Sequence, residues 1–158
     1  MKAGQKYSEL GLHDFLQAHK NDLILSVKER PVVFLLEGEL GVGKSSFVAE
    51  FLKCFGFPKY LGSPTYPVAI SYAKEMSPGL GMDCVHVDLY RIKDAEELIE
   101  RGLEELFLEP KTILFIEWPS RLGEMGYDRN QLFFAENPSK DIIHLHWKSH
   151  GLFEITQL

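Results

Sequence analysis

Cysteine is scarce in this sequence, and its two occurrences form no recognisable pattern. Cys54 and Cys84 belong neither to a CxxC pair nor to a Cys/His spacing typical of metal sites. This excludes a disulfide framework of the kind that holds small secreted domains together. We expect two free, buried thiols in a reducing compartment.

Long apolar runs are also missing. The segment MKAGQKYSELGL at the N-terminus has no apolar core of signal-peptide length. No stretch approaches the roughly 18 apolar residues of a membrane-spanning helix. These absences predict a cytoplasmic protein that does not enter a membrane.

Positive charge is in deficit, with 17 Lys and Arg against 23 Asp and Glu and a net charge of -6. Binding nucleic acid through a broad face requires clustered Lys and Arg, which neutralise phosphates. The chain is therefore not expected to hold nucleic acid by itself. A role in a nucleic-acid pathway through protein partners stays open.

The remaining composition predicts one α/β domain spanning residues 1–158, because 158 residues with 45% hydrophobic content can bury a core. Pro31–Gly38 and Thr112–Trp118 are short apolar runs typical of strands buried on both faces, and Gly43–Phe55 has helical spacing. Further helices are predicted at Ser8–Lys20 and Asp94–Arg101, and further strands at Val68–Tyr72, Met82–Leu89, Gln131–Ala135, Ile142–Trp147 and Leu152–Thr156. Together these elements predict a mixed, mainly parallel sheet flanked by helices.

The stretch GELGVGKSS, between the first buried strand and the helix after it, fits the pattern G-x-x-x-x-G-K-[ST]. Glycines let successive backbone N–H groups point at phosphate oxygens, and the helix N-terminus favours an anion. Lys44 can reach the β- and γ-phosphates, and the Ser45 hydroxyl can ligate Mg²⁺. The predicted phosphate-binding residues are Gly38, Glu39, Leu40, Gly41, Val42, Gly43, Lys44, Ser45 and Ser46.

Two carboxylates are candidates to serve the metal. Glu117 ends the apolar run TILFIE, where α/β sheets place ligand groups, and it can ligate Mg²⁺ or activate the attacking water. A carboxylate simply emerging into solvent is the alternative for Glu117. Asp88 in VHVDLYR also follows an apolar alternation, but it can equally be a turn acid or a partner of Arg91.

Three other residues near these motifs have more than one interpretation. Thr65 in GSPTYP can sense a γ-phosphate as switch threonines do, or serve ordinary turn chemistry. His86 faces away from Val85 and Val87 and is interpreted as a structural histidine. Trp118 can pack or contribute to binding.

The ordered stretches GELGVGKSS, GSPTY, HVDLYR with the following DAEEL, and FIEW resemble the TsaE family, also called YjeE. These are small bacterial ATPases required for the threonylcarbamoyladenosine modification of tRNA. The resemblance covers roughly Pro31 to Trp118. It implies a P-loop NTPase fold with an unusual mixed sheet, and it implies ATP as the nucleotide.

The resemblance also implies roles for single residues. Ser45 and Glu117 would be Mg²⁺ ligands, Thr65 a switch-like residue and Asp88 a functionally important acid. It implies the TsaD–TsaB pair as the partner that transfers the threonylcarbamoyl group to tRNA. This chain would then be the ATP-driven component that resets the complex, touching tRNA only through its partners.

Two other functions are compatible with a P-loop. A small-molecule or protein kinase would pass the γ-phosphate to an acceptor, but no Arg-rich lid segment is evident. A nucleotide-stabilised binding module would not hydrolyse usefully. Replacement of Glu117 separates the ATPase from the binding module.

Overall fold

The structure is a computed structural model that describes residues 5–64, 68–77, 80–103, 112–127 and 141–157. The described elements are β1 (Gln5–Ser8), α1 (Glu9–Glu29), β2 (Val32–Glu37), α2 (Lys44–Phe55), β3 (Ala69–Ser77), β4 (Leu80–Asp88), α3 (Ala95–Glu100), β5 (Thr112–Glu117), α4 (Ser120–Glu124), β6 (Asp141–Ser149) and β7 (Leu152–Gln157). Within these ranges, no helix combines the length and the apolar character needed to cross a membrane.

The described strands form one sheet in the order β1-β7-β6-β2-β5-β4-β3. The four central strands, β6, β2, β5 and β4, pair in parallel, and the outer pairings are antiparallel. The predicted α/β class with a mixed, mainly parallel central sheet is thus confirmed. The parallel register aligns the ends of three strands, because Glu117 lies opposite both Leu36 and Asp88.

Both faces of the sheet are covered, which explains why β2 and β5 are apolar without alternation. Side chains of β2 alternate between two cores: Phe34 packs with α1 and α2 on one face, and Val33 and Leu35 pack with α3 and α4 on the other. Helix α2 lies against the first face through tilted and edge-on rings: Phe47 and Phe51 both pack against Phe34 and Phe115. This packing fixes the start of α2 above the ends of the central strands.

The predicted ends of the elements differ from the observed ones where apolar spacing continues past polar residues. Helix α1 runs to Glu29 rather than Lys20, because Leu23 and Val27 extend its buried face. Strand β1 was not predicted, and it pairs only with the edge of β7 in the described structure. Gly56 ends α2 as predicted, in the left-handed conformation, φ 72°. The predicted strand Gln131–Ala135 lies outside the described residues.

Candidate functional site

The glycine-rich turn joins β2 to α2 through backbone conformations that side chains disfavour. Gly38, Gly41 and Gly43 have φ angles of 151°, 77° and 116°. A Cβ on Gly38 would lie 2.8 Å from the Cβ of Trp147, so a side chain there would meet β6. The turn is also held from outside, because the amide of Gly151 donates to the carbonyl of Val42.

The N-terminus of α2 opens toward the same turn. Gly43 precedes the helix and supplies no side-chain hydrogen bond to its first amides. Helix α2 has 12 residues, and its first-turn N–H groups have no intrahelical partners. Free amides and the helix dipole together favour an anion at this position.

Lys44 is buried, and its ammonium group lies over the turn. Its Nζ donates to the carbonyl oxygens of Gly38 at 2.6 Å and Glu39 at 2.8 Å, and lies 4.1 Å from the centre of the Trp118 ring. Burial lowers the pKa of Lys44, although the nearby carboxylate of Glu117 opposes this shift. The lysine therefore occupies a position from which it can exchange loop carbonyls for phosphate oxygens.

Glu117 lies at the centre of a buried polar cluster and does not emerge into solvent. Its Oε1 accepts a hydrogen bond from the Ser45 hydroxyl at 2.7 Å and lies 2.9 Å from Nε2 of His86. Glu117 is 4% exposed and His86 is fully buried. The fold thus brings together Ser45 and Glu117, the two residues proposed from the sequence to share a metal.

Asp88 is fixed at the end of β4. Its Oδ1 accepts from the amide of Tyr90 at 2.9 Å, and its Oδ2 accepts from the Ser63 hydroxyl at 3.2 Å. Burial raises the pKa of Asp88; the Tyr90 amide opposes this shift, and Glu117 adds to it. Asp88 therefore is a turn acid, one of the alternatives from the sequence, and it also faces the site.

These groups line a pocket with a volume of about 340 Å³. Its lining consists of residues from the glycine-rich turn and from the ends of β4 and β5: Leu40, Gly41, Gly43, Lys44, Ser45, Ser46, Ser63, Asp88, Tyr90, Arg91, Glu117 and Trp118. Gly38, Glu39 and Val42 shape the turn without lining the pocket. Thr65 lies outside the described residues.

Sequence reasoning missed His86 as a member of the site. The alternation in VHVD places His86 on the same face as Asp88, and the parallel register places that face beside Glu117. A polar ring in an apolar strand, two residues before a strand-end acid, was the available signal. Its Nδ1 has no hydrogen-bond partner among the described residues.

Tyr60 was also missed, because no motif marks it. Its hydroxyl is buried beside Ser45, and its ring lies 6.1 Å from that of His86. Burial raises the pKa of Tyr60 to about 12, although the neighbouring Ser45 opposes this shift. Tyr60 therefore adds a neutral hydroxyl beside the Ser45–Glu117 pair.

The model of one protein family, described as "Threonylcarbamoyl adenosine biosynthesis protein TsaE", matches residues 11–144 of this chain. The match takes in the glycine-rich turn, Asp88 and Glu117 in one continuous span. The chain belongs to the TsaE family. The resemblance of the four sequence motifs is thereby confirmed.

Curated TsaE relatives are similar over part of their length. The protein from Bacillus subtilis is 33% identical over 92 residues, which are 58% of this chain and 53% of the relative. The proteins from Rickettsia bellii and Haemophilus influenzae are 40% and 29% identical over 87 and 121 residues. The matches cover 54% and 77% of this chain, and 56% and 65% of those relatives. The chain thus spans between half and two thirds of these TsaE proteins.

A crystal structure of Bacillus subtilis YdiB has the same fold. Its TM-score with this chain is 0.55 at 19% sequence identity, and the alignment covers 99% of this chain and 86% of YdiB. At this identity the likeness shows the fold alone. The likeness therefore supports the arrangement of the sheet and helices described above.

Proposed function

We propose that this chain is a single-domain P-loop ATPase that binds ATP with Mg²⁺ and hydrolyses it. In this proposal, hydrolysis drives or resets a TsaD–TsaB complex during threonylcarbamoyladenosine modification of tRNA. The observation that carries the proposal is the convergence of Lys44, the N-terminus of α2 and the Ser45–Glu117 pair in one pocket. Membership of the TsaE family supplies the pathway.

Phosphate binding follows from the turn and the helix it precedes. The amides at the start of α2 and the Lys44 ammonium offer donors to the β- and γ-phosphates from two directions. Neither Gly38 nor Gly43 can carry a side chain without strain at its observed φ. The chain therefore holds its donors in place before the nucleotide arrives.

The residues present fit a magnesium ion. Mg²⁺ prefers oxygen ligands and retains several waters, and Ser45 and Glu117 present two oxygens that are 2.7 Å apart. Ser45 and Glu117 would hold the ion, with Asp88 close enough in the pocket to act through water. When bound, the ion supplies neutralisation of the phosphate charge that develops during transfer.

The remaining polar groups orient the reaction. Asp88 is immobilised by the Tyr90 amide and the Ser63 hydroxyl, so its carboxylate keeps one position in the pocket. Glu117 and Asp88 together can position the attacking water and accept its proton. Arg91 is the one arginine that lines the described pocket.

A partner completes the site in this proposal. The exposed apolar side chains of Leu40 and Tyr90, 77% and 48% accessible, line the pocket mouth, where burial by another protein would stabilise a complex. A P-loop site that does not fully stabilise the charge of the transition state hydrolyses ATP slowly. With its net charge of -6, the chain is expected to meet tRNA only through TsaD and TsaB.

The test is ATP hydrolysis by the purified chain, alone and with the TsaD–TsaB pair. Lys44→Ala removes the phosphate-binding ammonium, and Lys28→Ala removes an exposed lysine of α1 as the matched control. We expect slow turnover alone, a clear rise with the partners, loss in Lys44→Ala and no change in Lys28→Ala. Brisk ATP turnover that the partners do not change contradicts the proposal and favours a kinase. Kinase activity would then be tested with small acceptor molecules.

Glu117→Gln separates an ATPase from a nucleotide-stabilised binding module. The substitution keeps the shape of the side chain and an oxygen that can accept from Ser45, but it removes the negative charge. We expect nucleotide binding to persist while turnover and support of tRNA modification are lost. Modification that continues at the normal level with Glu117→Gln contradicts a role for hydrolysis.

A further inference from the structure

A second cluster of metal-ligating side chains lies between α1 and α2, apart from the candidate nucleotide pocket. It consists of His13 on α1 and of Glu50 and Cys54 on α2. One ligand atom from each residue lies within 4.8 Å of the other two. None of the three residues lines the nucleotide pocket.

The spacing on α2 suits chelation. Glu50 and Cys54 are four residues apart, so their side chains emerge one helical turn apart on the same face. His13 faces them from α1: its Nδ1 lies 2.7 Å from Oε1 of Glu50 and 3.7 Å from Sγ of Cys54. Two helices that are already packed together thus supply three different donor atoms.

We propose that His13, Glu50 and Cys54 bind one transition-metal ion of the zinc class, which clamps α1 to α2. Imidazole nitrogen, thiolate sulfur and carboxylate oxygen together are typical ligands of Zn²⁺ and Co²⁺, whereas Mg²⁺ and Ca²⁺ take oxygen alone. Three protein ligands leave the fourth tetrahedral position to water. The half-exposed ring of His13 gives the ion a route from solvent.

The distances need little adjustment for a metal. Zinc bonds of about 2.0–2.1 Å to nitrogen and about 2.3 Å to sulfur place such ligand atoms roughly 3.5 Å apart in a tetrahedron. The separation of 3.7 Å between His13 and Cys54 is close to that value. The hydrogen bond of 2.7 Å between His13 and Glu50 would lengthen as the ion replaces the shared proton.

Two lysines lie beside the cluster and contact two of its residues. Lys53 Nζ lies 3.4 Å from Oε2 of Glu50, and it is exposed enough to turn into solvent. Lys20 Nζ donates to the main-chain carbonyl of Cys54 at 2.7 Å. Lys20 therefore does not occupy the sulfur of Cys54, whose Sγ donates to the main-chain carbonyl of His13 at 4.0 Å.

The experiment titrates the whole chain with Co²⁺ and then Zn²⁺, with excess Mg²⁺ present to occupy hard oxygen sites. A cobalt–thiolate bond produces a charge-transfer band in the near ultraviolet, and tetrahedral Co²⁺ produces strong visible bands. We expect both at one equivalent, bleaching of both by Zn²⁺, and a higher unfolding midpoint with Zn²⁺ bound.

Two ligand variants and one control decide whether His13 and Cys54 are ligands. His13→Asn and Cys54→Ser should weaken Co²⁺ binding by at least about 10- to 100-fold, since changes in outer-shell partners alone have that effect. His150→Asn, which alters an exposed histidine outside the cluster, should bind as the unaltered chain does. Because His13 is half exposed, its replacement leaves the core intact.

The absence of a cobalt–thiolate band in the unaltered chain would overturn the proposal. Persistence of that band in Cys54→Ser or His13→Asn would do the same, as would equal loss in His150→Asn. In each of those cases, His13 and Glu50 are an ordinary hydrogen-bonded pair beside a free thiol.

Discussion

The side chains of His86 and Glu117 meet on one face of the sheet, where Nε2 of the histidine donates to Oε1 of the glutamate across 2.9 Å. The same oxygen accepts the Ser45 hydroxyl, so two donors from β4 and α2 fix one carboxylate at the end of β5. Both side chains of the His86–Glu117 pair are buried, so water does not compete for this hydrogen bond. We therefore propose that His86 is a positioning residue for Glu117, the proposed metal ligand.

His86→Phe should lower the apparent affinity for Mg²⁺, measured from turnover, by about 10- to 100-fold. The reason is that Glu117 loses a donor that holds its orientation, while the glycine-rich turn is unchanged. ATP binding without Mg²⁺ should stay near its original value. His86→Gln, which retains an N–H donor, should restore most of the Mg²⁺ response. Equal damage to Mg²⁺-free ATP binding in His86→Phe would indicate a merely structural histidine.

The indole of Trp118 should report nucleotide binding. Its ring lies over the Lys44 ammonium at 4.1 Å, and we propose that Lys44 leaves the loop carbonyls for a phosphate. In Trp147→Phe, which keeps Trp118 as the single tryptophan, a non-hydrolysable ATP analogue should change the fluorescence. The change should disappear when Lys44→Ala is added to that variant, and it should be absent from Trp118→Phe in the chain that retains Trp147. A change of full size in Trp118→Phe would assign the signal to Trp147 instead.

Gly38→Ala should destabilise the fold and weaken nucleotide binding. Its φ of 151° is strained for any side chain by about 1–3 kcal/mol, and the new Cβ would press on Trp147. Gly123→Ala is the matched control, because Gly123 lies in α4 with no atom within 4 Å of an added Cβ. Urea unfolding and nucleotide titration of both variants provide the check. Equal stability of the two variants would show that the turn relaxes freely.

Helix α3 should lose stability in acid through Glu97. The Lys93 amide, and then the Arg101 side chain, hydrogen-bond its carboxylate and lower its pKa in the folded chain. A carboxylate whose pKa is lower in the folded chain stabilises the fold at pH values above its ordinary pKa of 4.5. That contribution disappears as the pH falls through the pKa of the folded chain. The unaltered chain should therefore exceed Glu97→Gln in unfolding midpoint at neutral pH and match it in acid.

The control for that comparison is Glu96→Gln. Glu96 is an exposed acid in the same first turn of α3, so the helix dipole acts on both residues. Its replacement should change the midpoint by a smaller amount than Glu97→Gln at neutral pH. A difference between the unaltered chain and Glu97→Gln that is constant across the pH range would contradict the assignment.

Local signals predicted the part of the fold that surrounds the glycine-rich turn. Strand β2, the turn and helix α2 are contiguous, and their residues need no distant partner to be recognised. The ends of α1 and β3 were harder to predict. Buried Leu23 and Val27 continue α1 past its local signal, whereas β3 runs to Ser77 through its antiparallel pairing with β4. The role of Thr65 stays a prediction, since that residue lies outside the described ranges.

The sequence by itself determined the α/β class, the glycine-rich turn and the TsaE family, since each is written in contiguous residues or in their order. Only the tertiary structure decided which polar side chains meet. Ser45 and Glu117 are 72 residues apart, and His13 and Glu50 are 37 apart. Their contacts depend on the register of β2 and β5, which sets the start of α2 beside Glu117, and on the packing of α1 against α2. Register and packing minimise exposed apolar surface over the whole chain, so no local pattern specifies them.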